Sequence, residues 1–70
     1  MDTFSMVRVA TKYGIVGLRY AMIEIDDHNL EEGIEVSLNS EYLGNVFNTS
    51  TFEVEELSLS EIEEIVEQFI

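Results

Sequence analysis

The chain contains no cysteine, which removes disulfides and thiolate metal ligands from consideration. Proline is also absent and glycine occurs four times, so the composition is not that of a linker or a low-complexity segment. The most informative lack is of positive charge. The basic residues Arg8, Lys12 and Arg19 are followed by no further Lys or Arg. From Glu24 onward there are fourteen carboxylates and no cation, for a local charge of −14, while residues 1–23 carry +2. A compact state brings like charges together, so this segregation costs stability through self-repulsion. Direct binding to nucleic acid or to an anionic membrane surface is disfavoured, because phosphates repel a chain of net charge −12.

What is present argues for a folded domain. Hydrophobic residues make up 46% of the 70, above the level at which chains stay expanded. The length allows one domain, residues 1–70, of marginal stability by itself. With disulfides excluded and one histidine, His28, too few for a usual zinc site, oligomerisation is the remaining source of stability, and a homodimer is expected. No leader peptide or 20-residue apolar run is visible, so the expected location is cytoplasmic. The sequon at residues 48–50 has no meaning in that setting.

Residues 3–11 alternate, with Phe4, Met6, Arg8 and Ala10 on one face and Ser5, Val7, Val9 and Thr11 on the other, as in a strand. Lys12, Tyr13 and Gly14 form a turn signal. Residues 15–25 are apolar on both alternating faces, which predicts a central strand buried on both sides or covered partly by a partner chain; a helix over residues 17–23 is the alternative. Residues 26–33 form a polar, acidic loop signal. Ile34, Val36 and Leu38 alternate with polar residues as in a half-exposed strand. A turn follows at residues 39–41, then a return strand at 42–47 with a bulge at Gly44, a turn at 48–50, and a short strand at 51–55. The last segment is helical. Ser58 and Glu61 fit a capping box, with Ser60 and Glu63 a competing register, and Ile62, Ile65, Val66, Phe69 and Ile70 make one apolar stripe. The expected fold is α+β: a small, mostly antiparallel sheet of four to five strands with one C-terminal amphipathic helix.

The carboxylates are the main functional signal. On a strand, Glu53 and Glu55 share a face about 6–7 Å apart, and carboxylates three or four apart on a helix sit about 5–6 Å apart. Such rows present a field like that of duplex DNA, which carries about one charge per 1.7 Å of axis. The candidate partner-binding residues are Asp26, Asp27, Glu31, Glu32, Glu53, Glu55, Glu56, Glu61, Glu63, Glu64 and Glu67, set against a basic DNA-binding protein. The plainer reading is a solvated acidic surface that keeps the chain soluble. Tyr13, Tyr20 and Tyr42 are candidate interface anchors or core residues.

A calcium loop ending at Gly33 fails. With Gly33 at loop position 6, only Glu32 supplies a carboxylate where one is needed, and Asn39 falls where the bidentate Glu belongs. No metal, cofactor or catalytic constellation is expected: His28 reads as an exposed loop residue, and no nucleophile motif or phosphate-binding glycine loop is present.

In its small size, lack of cysteine, carboxylate excess and mixed sheet–helix pattern, the chain resembles the phage-encoded DNA-mimic inhibitors. The resemblance implies a non-enzymatic protein of an infected bacterial cell, active in host takeover, whose acidic surface occupies a DNA-binding face. Targets in that class include nucleoid proteins of the HU type, uracil-DNA glycosylase, restriction enzymes and CRISPR effectors. The HU inhibitors are nearest in size and charge, and HU bends DNA with basic arms. A homodimer with two acidic faces would suit such a two-fold partner. The alternative function is a small adaptor or subunit protein that binds through apolar contacts, its acidity serving solubility.

Overall fold

The computed structural model describes residues 6–70. Strands β1 (Val7–Thr11), β2 (Gly14–Asp26), β3 (Asn29–Leu38) and β4 (Glu41–Val46) form one antiparallel meander in the order β1-β2-β3-β4. A single 3-10 turn, Val54–Glu56, leads into helix α1 (Leu59–Glu67). This is the expected α+β fold with four strands. The part of the first predicted strand that includes Phe4 and Ser5 lies outside the described residues.

The helix covers one face of the sheet. Val16, Leu18, Ile34, Val36 and Val46 on that face pack with Val54, Leu57, Ile62, Ile65 and Val66, and all are buried. Register produces this clustering. Leu18 pairs with Val7 and Val36, Val16 with Val9 and Leu38, and Ile34 with Val46, so each pairing places apolar residues side by side. Two of the glycines solve local problems. Gly14 closes the β1–β2 turn at φ 131°. Gly44, at φ 156°, sits at the bulge opposite Val36 and Ser37, where a Cβ would lie 2.6 Å from the Phe69 ring.

Helix α1 begins where its sequence signal placed it. The Ser58 hydroxyl accepts from the Glu61 amide at 3.1 Å, and the Glu61 carboxylate accepts from the Ser58 amide at 2.9 Å. The Ser60–Glu63 register is not used, because Ser60 already lies inside the first turn of α1.

Four expectations are corrected. Residues 15–25 are a strand, not a helix, but β2 is covered on one face only. On the other, Met6 and Phe47 lie over Gly17 and Gly33 but no second layer covers the strand among the described residues, and Ile15 is 46% exposed. The acidic segment 26–33 is mostly strand: only Asp27 and His28 turn, and Glu31, Glu32 and Gly33 belong to β3. The Asp26 carboxylate tightens that turn by accepting from the His28 amide and the Asn29 side chain, both at 2.9 Å. Residues 51–55 are not a strand. Their buried members Val54 and Leu57 are three apart, which suits a 3-10 turn, and the Thr51 hydroxyl accepts from the Glu53 amide at 3.0 Å. Finally, Ile70 lies past the helix end and is 66% exposed, so the apolar stripe stops at the half-buried Phe69.

Candidate functional site

Acidic side chains gather in two places on the helix side of the sheet and at the far end of the β2–β3 hairpin. Glu53, Glu55 and Glu56 surround the 3-10 turn, and Glu61, Glu63, Glu64 and Glu67 lie on α1. Asp26, Asp27, Glu31 and Glu32 occupy the hairpin arm. Tyr20 joins the two regions. Its hydroxyl donates to Glu32 Oε1 at 2.7 Å, while its ring meets the Phe52 ring edge-on at 6.2 Å, just before Glu53. Tyr20 is thus half-buried at the rim of the core rather than a free interface anchor. The Glu32 carboxylate raises the Tyr20 hydroxyl pKa above its ordinary value, because hydrogen bonding favours the protonated phenol.

Several candidate residues are engaged within the fold. Glu67 accepts from the Tyr13 hydroxyl at 2.5 Å and pairs with Lys12 Nζ at 3.9 Å. Glu63 accepts from the Lys12 amide at 3.2 Å. Together they latch the helix to the β1–β2 turn, where Lys12 also lies 5.4 Å from the centre of the Tyr13 ring. The same hydrogen bond raises the Tyr13 pKa. Glu61 caps its own helix and accepts from the Ser50 hydroxyl at 2.6 Å; these donors hold its carboxyl below the usual range. Asp26 is lowered likewise, first by the His28 amide and then by the Asn29 side chain.

Other candidates are turned wholly outward. Asp27, Glu31, Glu53, Glu55, Glu56 and Glu64 are all exposed. Glu56 is pushed above the usual carboxylate range, first by hydrogen bonding with Glu53 and then by the charges of Glu53 and Glu55. Among the fourteen described carboxylates, only Glu35 and Glu67 take part in an ion pair. Lys12 thus neutralises part of the helix latch, and the remaining acidic surface keeps its charge.

The reverse face of the sheet differs in character. Arg8, Gly17, Ser37 and Tyr42 form one row across the four strands, and Arg19, Glu35 and Asn45 the next. Arg19 Nε lies 3.0 Å from Glu35 Oε1. Arg8 has no ion-pair partner among the described residues. Ile15, Met6, Ile23 and Phe47 border these rows, and a shallow cleft of about 390 Å3 runs between Met6, Arg8, Ile15 and Tyr42. Sequence reasoning named the strand alternation that creates this face but not the face itself. The signal was there: two of the three cations and the odd-numbered apolar residues of β2 fall on one side.

Among the described residues no three His, Asp or Glu side chains converge as metal ligands. No helix is long and apolar enough to cross a membrane. No family model, no curated protein and no solved structure matches this chain.

Proposed function

We propose that this protein is an acidic inhibitor that occupies the DNA-binding surface of a basic protein in place of DNA, with a nucleoid protein of the HU type as the target its resemblance implies. The supporting observation is the uncompensated carboxylate surface on the 3-10 turn, helix and hairpin arm, where Glu53, Glu55 and Glu56 crowd one short turn with no lysine between them. Solubility alone does not require like charges in contact. The long axis of the molecule, 38 Å, spans the length on which duplex DNA carries about 22 phosphates. The acidic surface is thus sparser than DNA and suits a partner that concentrates its cations in a few patches. Asp27, Glu31, Glu53, Glu55, Glu56 and Glu64 make the direct contacts, while Asp26, Glu32, Glu61, Glu63 and Glu67 hold the acidic elements in place. No cofactor and no catalytic step enter this reading.

Binding to a purified HU-type protein is measured by calorimetry at rising salt, with duplex DNA as competitor. The expected result is mutually exclusive binding and an association constant that falls steeply with salt. Affinity that ignores both salt and DNA would refute the proposal. It would favour the second reading, an adaptor that binds through the apolar reverse face, for which the exposed Ile15 and Tyr42 speak.

A further inference from the structure

We infer that the uncovered face of the sheet is a two-fold interface with a second copy of this chain, packed sheet to sheet with the helices outward. This does not rest on the function proposed above. Three observations carry it.

The first is charge. A chain of net −12 cannot place its helix side against itself. The reverse face is the exception: Arg8 and Arg19 offset Glu31 and Glu35 there, so it is close to neutral. Face-to-face sheets pack about 10 Å apart, and a helix layer roughly 10 Å thick on each outer side keeps the acidic helix sides some 30 Å apart. That is about three screening lengths at 0.1 M salt.

The second is self-complementarity in the register. Both cations of this face lie on β1 and β2, and Glu35 and Tyr42 lie on β3 and β4. A two-fold axis running between β2 and β3 places β2 over the partner's β3 and β1 over its β4. Arg19 then faces Glu35 of the second copy, in the same row, and Arg8 faces the Tyr42 ring in the next. Gly17 comes opposite Ser37, and Ala21 opposite Gly33, and the side chains of Met6, Ile23 and Phe47 that lie over these small residues supply the apolar contact surface. Across the four-stranded part Arg19 gains a carboxylate and Arg8 an aromatic face, while Glu31, out on the exposed arm, comes opposite Ile23 with no cation across from it.

The third is area. Four strands about 4.8 Å apart and some 20 Å long, with the two-stranded arm, give roughly 530 Å2 of flat sheet. With side-chain relief this is of the order of the ~800 Å2 that a stable interface takes from each partner.

Sedimentation equilibrium of the full chain, with circular dichroism to verify folding, tests the inference. The parent chain should sediment at twice its 8.0 kDa. Ile15→Glu buries an unpaired carboxylate in the interface, and Tyr42→Lys sets a like charge over the partner's Arg8. Either should give a folded monomer at concentrations where the parent is fully dimeric, while Glu64→Lys on the outer face should stay dimeric. Both altered residues are well exposed in the single chain, so the variants keep their own core. A parent chain that remains a monomer throughout, or variants that dimerise as the parent does, would overturn it.

Discussion

Replacing Leu18 and Met22 separately by alanine tests whether the core lies where the helix covers β2. The two residues sit on the same face of one strand, four positions apart, and differ in burial: Leu18 is fully buried, while Met22 is 48% exposed on the arm beyond the helix. Leu18→Ala removes three carbons, worth about 2.4 kcal/mol at ~0.8 kcal/mol each. The cavity left between Val7, Val36 and the helix adds to this, giving about 3–4 kcal/mol. A 70-residue domain has only about 3.5–10 kcal/mol in total, so the variant should sit near the edge of folding. Its thermal midpoint should fall by more than ~12 °C. Met22→Ala should cost less than about 1 kcal/mol, because water already reaches half of the side chain. Urea titrations followed by circular dichroism measure both. Equal costs at the two sites would mean that the arm is buried by something other than α1, and the one-sided core would be wrong.

Other consequences can be measured directly. Ser58→Ala removes one half of the capping box and should cost about 1 kcal/mol in the same titrations. The carboxyl pKa values, read by NMR titration, should place Glu56 above the ordinary glutamate value, with Glu61 and Asp26 below theirs. The signs then diverge. Asp26 and Glu61 contribute stability above the ordinary carboxylate pKa that is lost as pH falls through their lowered values, whereas the Glu53–Glu56 contact stabilises below the ordinary pKa and loses its contribution as pH rises through the raised value. Glu56→Gln should therefore stabilise the fold at neutral pH, and a variant melting below the parent there would refute the carboxylate crowding at the 3-10 turn. Salt should raise the thermal midpoint of the parent chain, because screening relieves its self-repulsion; a midpoint that falls with salt would mean that the ion pairs outweigh it.

Much of the fold was legible because it is set locally. The capping box at Ser58 and Glu61 and the spacing of Ile62, Ile65 and Val66 define the helix within one stretch of sequence, and Gly14 marks its turn by conformation alone. The segment 51–57 was misleading because Phe52 and Val54 alternate with Glu53 and Glu55 as a strand would. The competing three-residue spacing of Val54 and Leu57 prevails only once the helix and β2 are in place to bury both. The acidic residues 26–33 read as a loop because polarity resembles solvation. An exposed hairpin arm needs only backbone pairing, and its carboxylates point to water from a regular strand. Alternation along β2 reported apolar residues on both sides but not which side finds a second layer. The acidic candidates were visible as a charge excess, yet their division into contacts and supports was not. Glu67 meets Tyr13 across 54 positions of sequence, a proximity that only the packed helix creates.

The two proposals constrain each other through geometry. A homodimer with two acidic faces suits a two-fold basic partner only if both faces point the same way. Packed back to back through the sheets, the acidic layers point in opposite directions, about 30 Å apart by layer thickness. One partner molecule cannot then engage both helix layers. Each chain should bind one basic surface, so that a dimer carries two partner molecules, and Ile15→Glu, which separates the copies, should leave the affinity per acidic face within a few-fold of the parent. Calorimetry gives both the stoichiometry and the affinity. If separation instead weakened binding by the ~10²–10⁴-fold that loss of a second linked contact brings, both acidic faces would be gripping one partner. The copies would then be joined along an edge or through another surface, and the sheet-to-sheet arrangement would be refuted even though the acidic surface remained the binding site.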